Sequence, residues 1–105
     1  MESRQYTEEE VKKQFLDHVR TMVKYWENEP TTQTLKDRLE GLAFSILVAI
    51  DGRSSSLPSF ILAPLPHEND MQYAIDLKEN YYPQNNESNV KCDIAGTLHD
   101  SFYNY

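Results

Sequence analysis

Three histidines, seventeen carboxylates and one cysteine are the side chains of this 105-residue chain that could perform acid–base, metal or nucleophilic chemistry. They gather in two short stretches. His67, Glu68 and Asp70 stand together after a proline-rich segment, and Asp93, His99 and Asp100 stand near the C-terminus. If the two met, the imidazoles of His67 and His99 with the carboxylates of Asp70 and Asp93 could hold a divalent cation, the donor set of a metal-binding protein or a metal-dependent hydrolase. Neither stretch has a diagnostic spacing such as HExxH, and acids beside helix starts already have a role as caps. Cys92 lies between Lys91 and Asp93 with no motif that would activate it, so an ordinary thiol is expected. Ser54–Ser56 lack both the phosphate-loop spacing and the surroundings of a nucleophile elbow. The chemistry-bearing residues therefore favour a protein that is not an enzyme and needs no cofactor, with the His/Asp site as the alternative.

Charge and aromatic content point towards binding. The chain carries a net charge of −7, and from His67 onward seven acids face only Lys78 and Lys91, a balance of −5. Such a surface repels phosphate backbones, which argues against direct nucleic-acid binding. Seven tyrosines accompany it. A tyrosine combines a large apolar ring with a polar tip, which suits an interaction surface as well as it suits the cover of a small core. The expected partner-binding face is Tyr73, Asp76, Glu79, Tyr81 and Tyr82, docking a basic protein surface.

These groups need elements to position them. The most apolar stretch is Leu35–Gly52, in which Leu35, Leu39, Leu42, Ala43, Ile46, Leu47 and Ile50 recur at steps of three and four. The spacing predicts a helix over Leu35–Ile50, apolar nearly all round in its second half, started by the Thr34-x-x-Asp37 box or by Thr32 and stopped at Gly52. The rival reading makes Ala43–Ile50 a buried strand turning through Asp51-Gly52 into Leu57–Leu65 as a hairpin. Length and the Ala and Leu content favour the helix. Ahead of it, Thr7-Glu8-Glu9-Glu10 is a capping box that opens a helix with Val11, Phe15, Val19, Met22, Val23 and Trp26 on one face, stopped by Pro30 and supported by Glu8–Lys12 and Glu9–Lys13 pairs. That stripe is expected to pack as core, and Gly41 marks the place where the two helices approach.

Beyond Gly52, a short strand is expected at Ser59–Ala63, bounded by Pro58 and Pro64. Lacking a partner in the chain, it would pair with a distant segment or with its copy in a homodimer. A short helix is expected around Met71–Leu77, an exposed polar loop over residues 84–90, and a last helix over Asp93–Tyr103 capped by Asp93, with Tyr103 and Tyr105 as an aromatic lid. Residues 1–6 are expected to fray. The composition predicts a single α+β domain, mainly helical: two long helices packed antiparallel, one proline-bounded strand and a short C-terminal helix. A lone cysteine, no signal-type leader and an apolar run far below the roughly 20 residues of a membrane span predict a cytoplasmic protein.

Three blocks, RLEGLAFSILVAIDG (Arg38–Gly52), LPSFILAPLPH (Leu57–His67) and DIAGTLHDSFY (Asp93–Tyr103), together about a third of the chain, resemble a family of small, largely uncharacterised proteins of phages and mobile elements. The resemblance carries over no activity and no site residue. It implies a setting in which small acidic proteins inhibit host defence nucleases, as anti-CRISPR proteins do, so the leading expectation is a phage-type inhibitor acting by protein–protein interaction. A structural homo-oligomer with no separate ligand is the third reading.

Overall fold

The computed structural model describes residues 3–29 and 33–104 of the protein. Helix α1, Glu8–Glu27, starts at the predicted box: the Thr7 hydroxyl accepts from the Glu10 amide at 3.2 Å and the Glu10 carboxylate accepts from the Thr7 amide at 2.9 Å. Of the six residues expected to fray, 3–6 are described. Arg4 grips the same carboxylate through both guanidinium nitrogens, at 2.8 and 2.9 Å, and with the Thr7 contacts this holds the Glu10 carboxyl down at about 2. Helix α2, Leu35–Ile50, opens on a second box between Thr34 and Asp37. The expected i,i+4 pairs on α1 are replaced by Lys12–Glu9 at 3.1 Å and Lys13–Asp17 at 2.6 Å, each spanning one helical turn. Pro30, Thr32 and Tyr105 lie outside the described residues.

The α2 helix ends where Gly52 allows it to end. Gly52 takes the left-handed conformation (φ 78°), its amide bonds the Ala49 carbonyl at 3.1 Å, and the Arg53 amide bonds the Val48 carbonyl at 3.0 Å. These are the two bonds of a Schellman stop. The hairpin alternative for Ala43–Leu65 is thereby excluded: residues 43–50 are helical.

The two long helices pack together antiparallel. At one end the Trp26 ring lies flat against Gly41, its Nε1–H donates to Ser45 Oγ at 2.9 Å, and Arg38 Nε donates to the Trp26 carbonyl at 2.9 Å. At the other end Phe15 meets Phe60 edge-to-face, with centroids 5.3 Å apart. The predicted close approach at Gly41 is thus real. The predicted core is not: α1 buries no residue, α2 buries only Gly41 and Ala49, and Ala49 is the one apolar residue fully covered among the described residues. Val11, Val23, Leu35 and Leu39, all on the expected inward stripes, are exposed.

After α2 the chain runs irregularly, with two short helical segments, α3 (Asp70–Asp76) and α4 (Leu98–Ser101). Among the described residues there is no laddered strand, only a bridge between Asn86 and Asn89. Residues 59–63, the expected strand, are non-helical but carry a single row of bonds to the chain itself, described below. The expected last helix shrinks to one turn. Asp93 does not cap it: the carboxylate accepts from the Leu62 amide at 2.9 Å and the Ala95 amide at 3.0 Å, and Gly96 (φ 117°) breaks the backbone before Leu98. Within the polar loop residues 86–90 are exposed and Asn85 is buried. Its Oδ1 accepts from the Lys91 and Cys92 amides at 2.7 and 3.0 Å, and its Nδ2 donates to the Pro64 carbonyl at 2.9 Å. One side chain thus fastens the loop to the proline segment.

The result is a flat, open shape of 53 × 47 × 19 Å with a radius of gyration of 17.9 Å. A closed domain of this length has a radius of about 13 Å. No helix among the described residues is long and apolar enough to cross a membrane.

Candidate functional site: an acidic tyrosine groove

The C-terminal half brings three of the predicted residues to one place. Tyr73 on α3 and Tyr81 and Tyr82 beyond it line a groove of ≈ 200 Å³ with Asp70, Met71 and Pro66. An adjoining groove of ≈ 270 Å³ runs from Tyr82 and Asp70 to Pro64 and Leu65. Tyr73 is 68% and Tyr82 71% exposed. Rings that served only as cover for the chain's own core would be turned inward; these face solvent.

The groove depends on a reversal at Lys78. The Leu77 amide closes α3 on Tyr73 and Ala74, the Lys78 amide bonds the Ile75 carbonyl at 3.0 Å, and the Glu79 amide bonds Ala74 at 2.8 Å. This is the same stop as at Gly52, but here a lysine occupies the left-handed position (φ 59°). A side chain in that region costs on the order of 1 kcal/mol relative to glycine. Lys78→Gly is therefore expected to stabilise the protein by about 1 kcal/mol in urea unfolding; a destabilised variant would show that the lysine side chain makes a compensating contact.

The carboxylates are placed unevenly. Asp70 stands in the groove wall and accepts from the His67 amide at 2.9 Å through Oδ2. Asp76 accepts from Gln72 Nε2 at 2.9 Å, while Glu79 is exposed beyond the turn. Asp70 was grouped by sequence with the histidines, and its place among the tyrosines was missed. The signal was available: His67-x-x-Asp70 is a turn-closing spacing.

The His/Asp set is distributed otherwise. His67 is exposed beside Asp70, whereas Asp93 is tied to Leu62 and Ala95. His99 is held by a residue outside the expected four, Asp51. Its Nδ1 lies 2.5 Å from Asp51 Oδ2, which also accepts from the His99 amide at 2.8 Å, and Oδ1 accepts from the Gly96 amide at 2.6 Å. The Asp51 side chain is wholly covered and His99 Nε2 stands 3.2 Å from the Asp100 carboxylate. Burial pushes the Asp51 carboxyl up, but the His99 amide and ring and the Gly96 and Leu98 amides more than offset it, leaving the group below the usual carboxylate range. A carboxylate only accepts, so the Nδ1–H of His99 is the donor. Through its ring and its amide, His99 clamps α4 onto the end of α2. Among the described residues no group of three or more His, Cys, Asp or Glu side chains is placed to hold a metal ion.

Comparison of the chain with protein-family models, with curated proteins and with solved structures gives no match.

Proposed function

We propose that this protein is a non-enzymatic interaction module whose acidic tyrosine groove docks a basic protein surface. The convergence of Tyr73, Tyr81 and Tyr82 on one groove beside Asp70 carries this reading. A groove of ≈ 200 Å³ has room for one protruding side chain. Arginine matches it chemically: the guanidinium stacks on tyrosine faces and pairs with carboxylates. Asp76 and Glu79 belong to the surrounding field, which steers and orients the partner more than it binds it. In the setting that the sequence resemblance implies, the partner is the basic surface of a host defence nuclease, and the protein a phage-type, anti-CRISPR-like inhibitor. The Ser59–Ala63 segment belongs to the same reading as a strand lacking its ladder, which makes the assembled protein α+β.

Titration with an arginine-rich peptide at several salt concentrations tests the docking. Asp76→Lys with Glu79→Lys is expected to weaken binding about tenfold at low salt and to flatten its salt dependence, and Tyr82→Ala to weaken it at every salt concentration. Unchanged affinity in all three substitutions would remove the proposal. Inhibition is read separately, by cleavage assays of a defence nuclease with and without the wild-type chain.

A further inference from the structure

Residues 60–65 show an alternation that a lone chain has no use for. The Phe60 amide bonds the Ile50 carbonyl at 3.0 Å; Leu62 accepts from the Ile94 amide at 2.8 Å and donates to Asp93 at 2.9 Å; the Pro64 carbonyl accepts from Asn85 at 2.9 Å. All three even-numbered residues thus turn their backbone groups to the protein. That alternation is the one extended chain produces, in which the backbone groups of alternate residues point to opposite edges, and it assigns Ile61, Ala63 and Leu65 to the outer edge. None of the three has a hydrogen-bond partner among the described residues. Pro58, Pro64 and Pro66 share the even parity, so every missing donor falls on the inner edge and the outer edge keeps its N–H groups.

We infer that this outer edge pairs antiparallel with the same edge of a second copy, about a two-fold axis at Ala63. In that register Ala63 faces its own copy and Ile61 faces Leu65, a ladder of roughly six backbone hydrogen bonds. Pro64 falls opposite Leu62 in a non-bonded pair, where its missing N–H costs nothing.

Three observations select a copy of this chain as the occupant. Area is the first. The chain exposes 8789 Å², whereas a folded monomer of 12.3 kDa exposes about 6,100 Å². The excess, about 2,700 Å² on each chain, matches the largest obligate dimers, which bury 2,000–5,000 Å² or more in total. Charge is the second: Leu57–Pro66 contains no charged residue and its prolines guard only the inner edge, so two chains can meet along the outer edge with no like charges opposed across the ladder. Apolar cover is the third. A groove of ≈ 690 Å³ beside the edge, lined mainly by apolar side chains such as Phe15, Ile50, Phe60 and Ile61 together with Glu8 and Lys12, is open to solvent, and Ile61 and Leu65 are 65% and 72% exposed. A chain that closes so little core of its own needs its partner throughout its life, and a second copy is always present in equal amount. The inference is independent of the tyrosine groove.

Sedimentation of the full chain is expected to give a dimer across the micromolar range. Ile61→Pro with Leu65→Pro removes two outward donors per chain and is expected to weaken self-association by roughly 100-fold. Because prolines can also disturb folding, the register is tested by a milder change: in a Cys92→Ser background, Ala63→Cys is expected to form an intermolecular disulfide, while Ile61→Cys, which faces Leu65, crosslinks far more slowly. A strict monomer, a monomer stable only with a different protein, or a dimer that neither crosslinks through position 63 nor responds to the prolines would each overturn the proposal.

Discussion

Trp26→Ala is expected to destabilise the protein by about 3–4 kcal/mol, the largest effect of any single change on the helix pair. Trp26 is the chief contact at the Gly41 end of α1 against α2. Its ring lies on Gly41 and its Nε1–H donates to Ser45 Oγ, and the substitution removes both, leaving only the backbone carbonyl that receives Arg38. Folded domains hold only about 5–15 kcal/mol in total, so the midpoint in urea should fall steeply at fixed protein concentration. The glycine opposite supplies a sharper test. A methyl group on Gly41 would stand 2.5 Å from the ring, and the ring cannot withdraw without breaking its bond to Ser45. Gly41→Ala alone should cost about 2 kcal/mol despite the better helix propensity of alanine. In a Trp26→Ala background the space is open, and the same substitution should stabilise by about 1 kcal/mol. A reversal of sign between the two backgrounds is the signature of direct contact. An effect of equal sign in both would mean that Trp26 does not sit on Gly41.

Asp51→Ala is expected to cost about 3 kcal/mol, through the far end of α2. The substitution strands the Gly96 amide, the His99 amide and the His99 ring N–H, three donors that the carboxylate satisfies. It should free α4 without melting α1 and α2, so hydrogen exchange should rise over residues 94–104 first. The carboxylate also predicts an acid limb. Its folded-state value lies below that of the unfolded chain, near 3.9. Its contribution is therefore complete above about pH 4 and is lost as pH falls through the lower folded value. Asp51→Asn should flatten the stability curve in that window while leaving it unchanged in shape at neutral pH. If the acid limb of Asp51→Asn matches that of the wild type, the carboxylate is not the group responsible.

The parts of the fold that were legible in the sequence are those set by neighbours along the chain. Thr7 with Glu10 and Thr34 with Asp37 each close a turn, and Gly52 supplies a backbone conformation that few residues tolerate. The period of the apolar residues made α1 and α2 readable, and Gly41 marked their approach. Burial was not legible. A stripe reports that a helix has an apolar side, not that anything covers it, and here Leu35 and Leu39 remain in water. The last helix failed for a related reason: Asp93 can cap locally, but a bond to Leu62, thirty-one residues away, competes for the same carboxylate.

The site divides along the same line. Composition by itself determined that the C-terminal half is acidic, tyrosine-rich and poor in bases, because charge and ring count are properties of the list of residues. Only the tertiary structure decided which rings share a groove, since the left-handed turn at Lys78 folds Tyr81 and Tyr82 back beside Tyr73. It also decided that His99 answers to Asp51, forty-eight positions away, and that Asp93 answers to Leu62. Pairings over such distances are fixed by the path of the chain, and spacing in the sequence carries no record of them.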